Sequence, residues 1–181
     1  MKINAIAASV LCFVALLVPA FAQVPAPSGV PTAQPGPLPD RSMATLRQVT
    51  SSNLFEIESS RLALTRSQSK LLKEFADQMM GDHTRAANRV RQVLAEMGAS
   101  PPPAMLEPAH QEQLDALKAA NNQAFDKAYL EVQYTAHVDA IAVVRDYAHT
   151  GDNERLKKLA ADVLPLLQSH LDHVTRLRDQ R

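Results

Sequence analysis

The sequence predicts an all-α fold, a four-helix bundle, and three observations carry that reading. Beyond residue 40, apolar side chains recur at three- and four-residue spacing through four long stretches, the period of a single helix face. Compact polar stops, "TRSQS" and "TGDN", divide the first pair and the last pair, and one long proline-rich interruption separates the pairs. Alternating apolar–polar runs, β-branched clusters and hairpin dipeptides are missing, so no strand pattern competes.

The first helix is expected over about 41–66, capped by Asp40, with Met43, Leu46, Val49, Leu54, Ile57 and Leu64 on its apolar face. Ser67 is the expected cap of the second, which runs to Met97 through Leu72, Phe75, Met79, Val90, Val93 and Leu94. Gly98 then stands where a helix commonly ends in a left-handed residue. "ASPPPAMLEP" forbids helix through its consecutive prolines, and a short helix follows from 108 or 109 to about 120. The third long helix covers about 123–149 with Asn122 as its cap, and ends through Gly151. Asp152 starts the fourth, about 153–178, in which Pro165 predicts a kink one turn upstream. Two tight hairpins joined by a long Pro-containing crossover between helices 2 and 3, with an extra short helix inside it, point to ferritin-like connectivity rather than up-down-up-down.

The segment ahead of this domain (41–181) reads as processing and spacing. Lys2, the apolar run 6–18 and Ala20-Phe21-Ala22 form a signal peptide over residues 1–22. The run is too short for a stable membrane span. Leu11 stands before Cys12 where a lipoprotein needs a small residue. Residues 23–40 form a linker: six of the sixteen residues 24–39 are Pro, and such a segment cannot bury enough to order itself. The protein is therefore expected to be periplasmic or secreted, without a transmembrane segment once processed. Cys12, the one cysteine, leaves with the signal, so stability must come from an apolar core or a bound ligand. The 19 basic and 19 acidic residues balance; removing Lys2 leaves 18 against 19. That balance gives no basic patch for nucleic acid.

Histidines supply the candidate site. His83, His137 and His170 each fall on an apolar stripe, one on each of three helices. Glu56 shares a face with Val49, Asn53, Ser60 and Ala63 that can also turn inward. At about 1.5 Å rise per residue, Glu56 lies about 16 Å and His83 about 24 Å below the Ser67 turn. Ferritin-like connectivity puts His137 about 21 Å and His170 about 10–15 Å below the same end, so the four share a level within about two turns.

Three imidazoles and a carboxylate suit a transition-metal ion: Zn, Cu or mononuclear Fe. A di-iron oxidase wants about four carboxylates and two Glu-x-x-His motifs. Glu107-Pro-Ala-His110 is the one such match and stands at a helix start beside proline. The alternative is a non-enzymatic structural or protein-interaction module of the cell envelope, in which the same His/Glu cluster is a polar network fixing helix register. Met79, Met80 and Met97 read as core filler, and His110 and His173 as surface residues. With no thiol and no nucleophile elbow, the residues point away from an enzyme. Envelope partner and oligomeric state are open at this level.

The elements "LFEIESSRLAL", "LLKEFADQMMGDH", "FDKAYLEVQYTAHVDAI" and "LKKLAADVLPLLQSHLDHV" resemble a bacterial secreted family of unknown function with a ferritin-like fold. Its members are often labelled outer-membrane proteins. The resemblance spans about 42–178, with Glu56, Phe75-Ala76, Asp82-His83, Phe125-Asp126, Tyr129, His137, Pro165 and His170 as its specific points. It implies an envelope-exposed helical domain and supplies no mechanism. It also draws attention to Asp82, Asp126 and Tyr129, expected to be structural first and outer partners of the histidines second.

Overall fold

The computed structural model describes residues 37–180; the expected signal peptide, linker residues 23–36 and Arg181 lie outside the described residues. The described chain forms five helices: α1 (Asp40–Arg66), α2 (Lys70–Glu96), α3 (Pro108–Ala119), α4 (Asn122–Thr150) and α5 (Glu154–Asp179). No strand occurs among the described residues, and none of the helices is long and apolar enough to cross a membrane.

Two arginines report the connectivity. Arg66, at the end of α1, donates to the Leu117 carbonyl (2.8 Å), to the Lys118 carbonyl (3.1 Å) and to Ala120, and its guanidinium stacks 4.4 Å over Phe125. Arg41, at the start of α1, binds Asp146 (2.8 Å) and the Thr150 carbonyl (2.8 Å) at the end of α4. The ends of α1 and α4 are thus paired in opposite order. The crossover carries the chain back along the bundle so that α4 runs parallel to α2, as ferritin-like connectivity requires. The upper end of the bundle is taken here as the end carrying the α1–α2 turn.

The helix limits follow the sequence closely, while the caps shift by a residue or two. Pro39 occupies the cap of α1, and Asp40 is its first helical residue, with its charge beside the helix N-terminus. Ser69, not Ser67, caps α2 by accepting from the Leu72 N–H; Ser67 Oγ instead accepts from the Ser69 N–H. Asn121 replaces Asn122 at α4, and Asn153 replaces Asp152 at α5. Asp152 is already committed, accepting from the hydroxyls of Ser42 (2.6 Å) and Tyr147 (3.1 Å).

Gly98 does adopt a left-handed φ of 67°, and the N–H of Ala99 reaches back to Leu94 (2.9 Å) to close α2. Gly151 has another reason to be glycine. Its φ is −59°, but a Cβ there would lie 2.6 Å from the Tyr147 carbonyl oxygen and 2.7 Å from its ring. Helix α5 is continuous through Pro165, an exposed position whose missing N–H frees the equally exposed Ala161 carbonyl for water.

The interior is uneven along its length. The upper half is filled by Phe55, Leu72, Phe75, Met79, Phe125, Tyr129 and Leu130, all essentially inaccessible, with Leu114 and Leu117 of α3 closing its side. The lower half holds smaller clusters around Leu46, Leu94 and Tyr147 and around Ile141, Val144 and Leu167. Each hairpin packs far more extensively within itself than against the other. Between them the lower half leaves a partly open cavity of about 640 Å³, and the histidines stand at the boundary of the two halves.

Candidate metal centre

Four helices place the site. His83 comes from α2, His137 from α4 and His170 from α5, while α1 contributes Asn53 and Glu56. All five side chains are buried. The three imidazoles touch one another, with ring centroids 5.3–5.6 Å apart. One ring nitrogen from each lies within 4.8 Å of the other two.

The bonds on the outer side of each ring decide what faces inward. His137 Nδ1 lies 2.8 Å from the Gln133 carbonyl oxygen. A carbonyl only accepts, so Nδ1 carries the proton and Nε2 a lone pair. His170 Nε2 lies 2.9 Å from the Asp82 carboxylate, which likewise only accepts, so its Nδ1 carries the lone pair. His83 Nδ1 donates to Asn53 Oδ1 at 2.8 Å, and its Nε2 has no hydrogen-bond partner. With both rings neutral, His137 Nε2 and His170 Nδ1 then face each other at 3.3 Å with no ring proton between them. The unpartnered His83 Nε2 belongs to the ring in contact with both of these.

Electrostatics favour the neutral form of His83 and His170. Burial, reinforced by the neighbouring His137 and His170, holds His83 well below the usual imidazole range. Burial also lowers His170, against the upward pull of Asp82. Burial works to raise the Asp82 carboxyl, but bonds from His170 and Arg85 outweigh it and hold the group below its ordinary value. Neutral imidazole is the form that ligates metals.

The expected residues fall into distinct places. His83, His137 and His170 are brought together. Glu56 lies outside that set: its Oε1 is 3.7 Å from His137 Nδ1, the side of the ring turned away from the converging lone pairs. Burial raises its carboxyl above the ordinary value, and Oε2 has no partner. Asp82 stands directly behind His170 and also receives Arg85. Tyr129 and Asp126 lie 8 and 11 residues before His137 on α4, about 12 and 16 Å along the helix. The Tyr129 hydroxyl pairs with Ser60 (3.0 Å), and its ring stacks on Phe125.

Two participants were not singled out by sequence. The sequence puts Asn53 on the flank of Glu56, and its register one turn before Glu56 is the available clue. Gln133 acts through its main chain, which no residue type announces; its amide donates to Ser59 (3.0 Å). The surface assignment of two further histidines needs correction. His110 is half-buried, bonded to Ser51 (2.6 Å) and stacked on Phe55, and His173 is half-buried edge-on to Phe75. Each covers an aromatic ring that the upper core would otherwise leave open. Met79 is core, as expected.

The architecture has solved counterparts. A DUF305 fragment from Deinococcus radiodurans superposes with a TM-score of 0.70 at 12% identity, covering 81% of this chain and 100% of that one. CopM in its Cu(II)-bound form gives 0.63 at 19% identity over 80% and 99% of the two chains. CopM in its Cu(I)-bound form gives 0.64 at 19% identity over 79% and 97%. At such identities the likeness is one of fold. Among curated proteins no sequence matches this chain. Residues 28–177, by contrast, match a family model over most of the chain, and the protein belongs to that family, "Domain of unknown function (DUF4142)".

Proposed function

We propose that this domain binds one transition-metal ion through His83 Nε2, His137 Nε2 and His170 Nδ1, and that it serves the envelope by holding or carrying that ion. The observation that carries the reading is the 3.3 Å approach of two imidazole nitrogens whose outer bonds leave both without a proton. Two lone pairs on buried neutral rings repel, and a cation between them and His83 removes the repulsion. Metal–imidazole bonds are about 2.0–2.1 Å. Nitrogens already within 4.8 Å of one another reach that range through small side-chain rotations. Asn53, the Gln133 carbonyl and Asp82 would orient the rings from behind, the usual office of groups behind metal-bound histidine.

Copper leads among the candidates. An all-imidazole donor set suits Cu²⁺, Zn²⁺ and Fe²⁺, and Cu²⁺ binds most strongly in the divalent series. The Cu(II)- and Cu(I)-bound CopM structures of the same fold add support. Glu56 in this reading stays behind His137 and balances charge. The sequence of residues 1–40 supports export of the domain, cleavage after residue 22 and a periplasmic or secreted location.

Metal analysis of untagged protein is the test. Stoichiometric Cu, Zn or Fe that is lost in His83→Ala/His170→Ala is the expected result. Protein that purifies without metal and gains no thermal stability from any of the three ions would sink the reading. The second reading, an architectural network, draws on the same 3.3 Å contact if one extra proton bridges the two rings. It expects the double variant to lose stability equally with and without added metal.

A further inference from the structure

The cavity below the histidines has a shape and a chemistry of its own. Its walls are Val49 of α1, Ala86 of α2, Ala140 and Val144 of α4, and Ala160 and Val163 of α5. Small and branched apolar side chains from four helices face a space that none of them fills. Its volume of about 640 Å³ lies within the roughly 300–1,000 Å³ typical of small-molecule sites. Ser42 and Asn53 both line it, 53 − 42 = 11 residues apart on α1, so it is about 16 Å long at about 1.5 Å rise per residue.

The two ends differ. At the lower end Ser42, Tyr147 and Asp152 satisfy one another at 2.6–3.1 Å. At the upper end His83 and His170 line the space, and His83 Nε2, on a side chain only 4% exposed, has no partner. Between the ends the wall is mainly apolar, with the exposed Gln48, Arg89, Asp139 and Asp162 also lining it, so an apolar body with a polar group at the His83 end fits best.

We infer that this cavity is a binding chamber for a medium-length aliphatic molecule with a single terminal hydroxyl or carboxyl, seated with that head at His83 and its chain running down between the hairpins. In the metal-free protein a hydroxyl head donates to His83 Nε2. With an ion held by the three histidines, a carboxylate head in the chamber would be the group placed to bind it, since His83 and His170 line that end. The head-group contact to the ion rests on the metal reading; the chamber does not.

Calorimetry with decanoate and decanol on copper-loaded and metal-free protein tests this. Decanol is expected to bind the metal-free form at least as tightly as the copper-loaded form, in which His83 Nε2 is taken by the ion, and decanoate to bind the copper-loaded form at least tenfold more tightly than the metal-free form. In Ala140→Leu/Ala160→Leu both amphiphiles lose at least tenfold while copper stoichiometry is kept. If that variant no longer melts cooperatively, Val163→Phe fills the same space from α5. Saturable binding of neither amphiphile to copper-loaded protein overturns the inference and leaves the metal reading standing. Undiminished binding to the filled variant overturns it as well. If none of Cu, Zn or Fe is taken up, yet decanol binds and the filled variant loses it, the metal reading fails and the chamber is upheld.

Discussion

The two halves of the bundle divide its physical labour. Above the histidines, Phe55, Phe75, Phe125 and Tyr129 fill the space between four helices, and α3 with the Arg66 clasp closes the side. Below them the same four helices border a hollow of about 640 Å³, and they meet through smaller apolar clusters and, at the far end, through Arg41 and the Ser42–Tyr147–Asp152 cluster. Close packing is where core stability comes from, and a void forfeits those contacts. The difference teaches that stability is concentrated at one end, which frees the other to stay open beneath a buried polar site.

The most forceful attempt to break this comparison is a pair of truncations. Phe125→Ala, in the filled half, is expected to cost about 3–5 kcal/mol, and Val163→Ala, on the wall of the hollow, less than about 1 kcal/mol. Denaturant melts read both, and similar costs would erase the distinction. Next comes the ion at the boundary. With free copper at about a thousand times its dissociation constant, stability is expected to rise by about 4 kcal/mol. His170→Ala should abolish the gain; an equal rise in that variant places the copper elsewhere.

Finer still is the contrast between groups that orient a ring and groups that fill the core above. Asp82→Asn or Asn53→Ala is expected to weaken copper binding about 10- to 100-fold, a change of about 1.4–2.7 kcal/mol. Tyr129→Phe, whose hydroxyl serves Ser60, should leave copper affinity unchanged, and competition with a calibrated chelator separates the two outcomes. The smallest effect is a pH slope. His83 and His170 have folded pKa values below 6.5. The unfolded chain therefore binds more protons just below that pH, and metal-free stability falls as pH drops through it. Glu56, raised above 4.5, acts in the opposite sense: its penalty begins as pH rises past 4.5. Chemical melts between pH 7.5 and 5.5 should show the first trend, and His83→Gln should flatten it.

Much of this arrangement was legible before any coordinates. The helices, the crossover and the common level of three seam histidines follow from a period of 3.6 and a fixed rise per residue. What escaped depends on finer angles. One residue turns a helix by about 100°, which separates Ser67 from Ser69 as a cap and sets Glu56 behind His137 instead of among the converging nitrogens. The partner of His137 is a main-chain oxygen, invisible to any reading by residue type. The chamber escaped for a different reason: alanines on a stripe look like tight packing until the spacing of the hairpins is known.

The crossover also has a kinetic meaning. His137 and His170 belong to the second hairpin, 33 residues apart, whereas His83 belongs to the first, 54 residues before His137. In the metal reading, α4–α5 alone would hold an ion by two imidazoles, weakly, and docking of α1–α2 would add the third. The ion would then act as a staple across the seam where the hairpins touch least. It would slow their separation far more than their meeting, because a contact completed only at the final docking step lowers the unfolding rate and leaves the folding rate nearly untouched.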